Sequence, residues 1–144
     1  MTTLSETLLT AERRPQTVDA LVGVVEAEVG SKSGISGAAI KTAYKAARKI
    51  DDRIVRRAIA GMLPDFLDRL EPFWATRGDQ PFGAQLAAQS DAAAEALLSV
   101  TDARAANPKH AAVAKVYGML RGKAKEHVVA ALPRLGSTLE QQMA

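Results

Sequence analysis

The sequence predicts an all-α fold, a compact bundle of six to eight helices, on three observations. Alanine and other helix formers dominate, aromatic residues make up only 4% of the chain, and β-branched residues are scattered instead of clustering in alternating runs. Apolar residues recur at three- and four-residue intervals in nearly every segment. Prolines and glycines fall between those segments, where they punctuate helices. With so few rings the core has to come from Leu, Val, Ile and Ala, which suits helices packed closely through small side chains.

The elements follow in order. A first, short helix starts at the Thr2/Thr3 cap, where Thr3-x-x-Glu6 fits a capping box and Leu4, Leu8 and Leu9 line one face. Pro15 suits the first turn of a second helix, whose Val18, Leu21, Val22, Val25 and Val29 repeat at helical spacing until Gly30 stops it. Residues 30–37 hold three glycines and three serines, the strongest loop signal in the chain. From about Ser36 a third helix carries Ile40, Tyr44, Ala47 and Ile50 on one face, with Lys41, Lys45, Arg48 and Lys49 largely off it. Asp51 or Asp52 caps a fourth helix ending at Leu63, and Pro64 is expected to kink or restart the chain. A fifth segment, Asp65 to about Thr76, presents Phe66, Leu67, Leu70, Phe73 and Trp74, the aromatic centre of the chain. After a turn at Gly78 to Pro81, two helices are expected, Pro81 to about Gln89 and Ser90 to about Ala105. Asn107-Pro108 marks the next break. Val113, Val116, Tyr117 and Leu120 then form a stripe that Val128, Val129 and Leu132 continue, and Pro133 opens a last helix to about Gln142.

Composition bounds the function. The 144 residues suit one helical domain over 1–144. There is no cysteine, so disulfides, thiolate metal sites and cysteine nucleophiles are excluded. The N-terminal Met1-Thr-Thr-Leu-Ser-Glu lacks the basic patch and apolar run of a secretory signal, and the longest apolar stretches, Leu21 to Val25 and Val128 to Leu132, are too short for a transmembrane segment. A cytoplasmic location is the expectation.

Two stretches echo each other. Tyr44 leads through basic residues and an apolar helix to Leu63-Pro64-Asp65-Phe66, and Tyr117 leads similarly to Leu132-Pro133-Arg134-Leu135. The reading is a weak internal duplication, set against ordinary helix grammar.

Little in the chain supports catalysis. The two histidines, His110 and His127, sit on different expected helices and complete no H-x-x-x-H or H-E-x-x-H spacing, so no metal site is expected. Gly118-Met-Leu-Arg-Gly122-Lys123-Ala124 misses a phosphate loop by one residue between the glycines and by the absent Ser/Thr; close helix approach at Gly118 and Gly122, or a break at Gly122, is the alternative. Gly30 to Gly37 could cradle an anion at a helix start, against the simpler reading of a connection. No G-x-S-x-G or S-x-x-K occurs. Asp51/Asp52 reads as a helix cap, and Asp65, Asp68 and Glu71 as the solvated side of an amphipathic segment. The expectation is therefore a non-enzyme without cofactor.

Charge is the uneven feature. Lys32 to Arg57 holds eight basic and two acidic residues and Arg104 to Arg134 seven basic and one acidic, although the net charge of the whole chain is only +3. If Lys41, Lys45, Arg48, Arg56, Lys115, Arg121, Lys123 and Lys125 share one face, they form an anion- or phosphate-binding surface. No aromatic platform interleaves with them, and Tyr44 and Tyr117 sit on apolar stripes.

The stretches Lys32-Ser-Gly-Ile-Ser-Gly-Ala-Ala-Ile-Lys41, Leu63-Pro-Asp-Phe66, Pro72-Phe-Trp74, Val100-Thr-Asp-Ala-Arg104, Tyr117-Gly-Met-Leu-Arg-Gly-Lys-Ala-Lys125 and Ala131-Leu-Pro-Arg-Leu-Gly136 resemble an uncharacterised family of small all-helical actinobacterial proteins, a domain of unknown function. The resemblance spans nearly the whole chain. It implies a helical, stand-alone cytoplasmic protein of a high-GC organism, and it carries over no functional residue. The leading expectation is a non-catalytic protein-interaction or structural module, with an unknown protein partner or self-association. The alternative is nucleic-acid binding through basic segments 32–57 and 104–134.

Overall fold

Helix α1, Leu4–Leu8, begins on the expected capping box: Thr3 Oγ1 accepts from the Glu6 N–H at 3.0 Å, and the Thr3 N–H donates back to Glu6 Oε2 at 3.3 Å. The computed structural model describes residues 2–107, 109 and 111–144, with Ser36, Ala111, Ala112, Val113 and Val116 in backbone only. The expected break at Pro108, the histidine His110, and the side chains of Val113 and Val116 lie outside the described residues. Short as α1 is, it is anchored. Leu4 and Leu8 are fully buried, and the Leu4 N–H, free of any partner within its own helix, donates to Glu71 Oε2 at 2.8 Å. Ser5 Oγ lies 3.4 Å from Asp68 Oδ1, so two carboxylates expected to be merely solvated dock this helix.

Helix α2, Arg13–Ser31, buries Thr17, Val18, Leu21 and Val24, close to the expected stripe. The Thr17 hydroxyl is satisfied by donating to the Arg13 carbonyl at 2.9 Å. The long loop expected over residues 30–37 shrinks to Lys32 and Ser33, because α3 runs from Gly34 to Ile50. The glycines serve a tight reversal. Gly34 has φ +72°, and a Cβ on Gly37 would stand 2.7 Å from the Lys32 carbonyl carbon.

Helix α4, Ile54–Ala75, runs straight through Pro64 and Pro72 where two segments were expected. Pro64 offers no N–H to the carbonyl of Ala60, and Arg14 Nη2 supplies the missing donor at 3.2 Å. The buried row Ile59, Leu63, Leu67, Leu70 and Trp74 therefore continues unbroken. Trp74 meets Phe82 edge to face, with ring centres 5.1 Å apart at 86°, and the Arg77 guanidinium lies 3.4 Å from the centre of the Trp74 ring. Phe82 is the fully buried ring, and Phe66 packs partly buried against the core.

Helices α5, Phe82–Ala88, and α6, Ser90–Ala105, stand close to the expected bounds. Helix α7, Ala111–Met143, is one rod of 33 residues, about 50 Å long, unbroken at Gly122 and Pro133. It touches α1, α2, α3, α5 and α6 and organises the bundle. With seven helices and no strand among the described residues, the all-α expectation holds. The close helix approach falls at other glycines than expected. A Cβ on Gly136 would stand 2.4 Å from Gly83 Cα, whereas Gly118 and Gly122 are exposed and meet no described atom within 4 Å. The two echoing stretches also differ in form, since Tyr44 to Pro64 crosses the α3–α4 turn and Tyr117 to Pro133 lies within α7.

Candidate interaction surface

Helix α3 packs against α2, α4 and α7 but differs from the rest of the bundle in charge. Gly34–Ile50 contains no acidic residue, and Lys41, Lys45, Arg48 and Lys49 are all exposed. Among the described residues no ion pair involves any of these four; Arg48 alone has an aromatic neighbour, its guanidinium 6.0 Å from the centre of the Tyr44 ring. Ala43 is its one buried apolar side chain among the described residues, and none of its residues joins the central core. Two isoleucines end it in solvent, Ile35 at 93% exposure and Ile50 at 50%. Tyr44, Lys45, Arg48, Lys49 and Asp52 line a shallow hollow of about 490 Å³.

The remaining expected contacts fare differently. Arg56 pairs with Asp19, joining α4 to α2. Lys125 pairs with Asp91 and, at 3.0 Å, with Glu95, joining α7 to α6; these carboxylates hold its ammonium above the usual lysine range. Lys123 lies 3.9 Å from Glu126 of its own helix. Lys115 is exposed and has no ion pair among the described residues. Arg121 makes a two-pronged contact with Asp102, Nε to Oδ1 at 2.8 Å and Nη2 to Oδ2 at 3.1 Å. The structure thus leaves Lys41, Lys45 and Arg48 together on α3 and spends Arg56, Arg121 and Lys125 on ties between helices.

Asp102 also accepts from the Tyr117 hydroxyl at 2.6 Å, and that oxygen lies 2.7 Å from Thr101 Oγ1. The Arg121 and Tyr117 hydrogen bonds hold the Asp102 carboxyl below its ordinary range. Burial, then the adjacent carboxylate, pushes the Tyr117 hydroxyl up to about 12. Sequence reading missed this network. Thr101 and Asp102 stand on one helix and Tyr117 and Arg121 one turn apart on the next, a pattern that becomes a signal only once α6 and α7 are known to be neighbours.

Two hollows complete the survey. Between α4 and α6 a polar cleft of about 690 Å³ is lined by Asp65, Asp68, Arg69, Arg104 and Asn107, carrying charges of both signs. Where α2, α4, α6 and α7 meet, a second pocket of about 190 Å³ exposes carbon alone, from residues such as Leu21, Val24, Phe66, Leu98 and Val128. Among the described residues no three potential metal ligands come together. His127 is partly buried with Nε2 unpartnered, and burial, helped by Lys32, lowers its basicity.

Fold and surface define an all-helical protein built around one long helix, with a cationic helix packed on its flank. A family model described as a family of unknown function (DUF6918) matches residues 4–143, and the chain belongs to that family. No curated protein and no solved structure matches.

Proposed function

We propose that the protein is a non-catalytic interaction module that docks an acidic protein partner through α3. One observation carries the reading: an acid-free helix presents four cations that have no ion-pair partner among the described residues, flanked by exposed Ile35 and Ile50. Exposed aliphatic side chains beside unpaired charge suit a protein interface, where burial of the isoleucines adds to charge complementarity. A phosphate backbone would use the cations and leave the isoleucines in water. A second copy of this chain fits poorly, since symmetric pairing through α3 would set Lys and Arg against themselves. A cytoplasmic, actinobacterial setting belongs to the same proposal and rests on the sequence resemblance. Nucleic-acid binding remains the second reading, supported by the hollow in which Lys45, Arg48 and Lys49 converge.

Fluorescence anisotropy separates the two. A labelled amphipathic helical peptide of Glu and Leu and a mixed-sequence DNA duplex serve as probes at low ionic strength. The proposal expects peptide binding that falls at least about tenfold in K41E/K45E/R48E and also weakens in I35S/I50S. DNA binding indifferent to the isoleucines supports the second reading instead, and no binding of either probe overturns both.

A further inference from the structure

We infer that the carbon-lined pocket where α2, α4, α6 and α7 meet is a binding site for a small neutral apolar molecule, a single ring or a chain of about six to eight carbons. The hollow is open in part to solvent, and its volume, about 190 Å³, is of the order of the roughly 150 Å³ that holds benzene in an enclosed cavity. The walls include Val24, Ile59, Phe66, Leu98 and Val128. Thr101, the one polar residue among them, presents no polar surface to the space, and its hydroxyl is engaged outside it by Tyr117 at 2.7 Å and by the Leu98 carbonyl at 3.1 Å. The walls themselves offer water no hydrogen-bond partner, so hydrocarbon is the better occupant against them.

Polar ties fix the framing helices in place. Arg14 binds the Ala60 carbonyl and joins α2 to α4, Arg134 meets Glu28 at 2.6 Å and joins α7 to α2, and Asp102 with Tyr117 and Arg121 joins α6 to α7. Elsewhere the bundle closes to backbone contact, where α5 crosses α7 at Gly83 and Gly136. The lining sets the ligand's charge, because it presents no polar surface and a charged group inside it would be left without a partner.

The probes are toluene, 1-hexanol and hexanoate, titrated into methyl-labelled protein and followed by NMR. The expected result is saturable shifts at Val24, Leu98 and Val128 with intermolecular Overhauser contacts from the toluene methyl, hexanoate binding at least about tenfold more weakly than hexanol. Ala131→Phe, which fills the space, is expected to abolish the shifts. Should that variant not fold, the Overhauser contacts in the unaltered protein decide alone. Shifts without saturation, shifts centred on Ile35, Ile50 or Met119, or no shift at all would overturn the site, and equal binding of hexanoate would overturn the neutral class. None of these outcomes depends on what α3 binds.

Discussion

Two kinds of glycine in α7 give opposite predictions from one substitution. A Cβ at Gly136 would lie 2.4 Å from Gly83 Cα, 2.5 Å from Gly83 N and 2.8 Å from the Phe82 carbonyl carbon, all main-chain atoms that cannot rotate away. Restoring ordinary contact distance moves α5 off α7 by roughly 1 Å, and overpacking of that kind costs about 1–3 kcal/mol. The displaced helix carries Phe82, fully buried and packed edge to face on Trp74, so Gly136→Ala is expected at the top of that range, about 3 kcal/mol. At Gly118 and Gly122 the same methyl group meets no described atom within 4 Å, and each Gly→Ala change there stabilises the helix by about 0.5–1 kcal/mol. Urea unfolding followed by circular dichroism measures all three, read as midpoint shifts at constant slope. A G136A variant as stable as the parent would refute the close α5–α7 crossing, and destabilisation by G118A or G122A would refute their open placement.

Three further perturbations follow from the same contacts. Glu71→Gln weakens the acceptor for the Leu4 N–H and is expected to cost about 1 kcal/mol and raise amide exchange across residues 4–8; unchanged exchange there would remove Glu71 as the anchor of α1. Tyr117→Phe removes the hydrogen bond to Asp102, with a loss of about 1–2 kcal/mol near neutrality. Because the folded-state value of Tyr117 is raised from 10.0 to about 12, its contribution is present below pH 10 and lost as pH rises through 12, so the variant's alkaline unfolding limb should be flatter than the parent's. His127 is shifted the other way, and its protonation favours the unfolded chain. Stability should therefore fall as pH drops below about 6.5, and His127→Gln should lose that component while keeping the rest of the acid limb; identical pH profiles would contradict its burial.

Local grammar was legible and distant partnership was not. The Thr3 capping box and the α6 bounds depend on residues a few positions apart and stand as expected, and the α2 stripe keeps Val18 and Leu21 while its buried edge moves to Thr17 and Val24. Pro64 reads as a break because the donor for the Ala60 carbonyl comes from Arg14, 46 residues earlier. The glycine crossing joins positions 83 and 136, and neither glycine has a local pattern to mark it. The two basic segments were visible as composition, but Arg56 and Arg121 find their carboxylates on other helices, at Asp19 and Asp102. Lys41, Lys45 and Arg48 stay without ion pairs among the described residues because α3 has no acid of its own and none of the described acids on its neighbours reaches them. The carbon-lined pocket left no trace in the sequence, since its walls are drawn from four helices whose stripes look like ordinary core.

Backbone chemical-shift mapping with the acidic amphipathic peptide tests the central claim, that the unpaired cationic side of α3 is the contact surface. The account predicts saturable changes concentrated at Ile35, Lys41, Lys45, Arg48, Lys49 and Ile50, weakening with added salt. Changes concentrated on Arg121, Lys123 and Lys125 of α7, or none at saturating peptide, would contradict it.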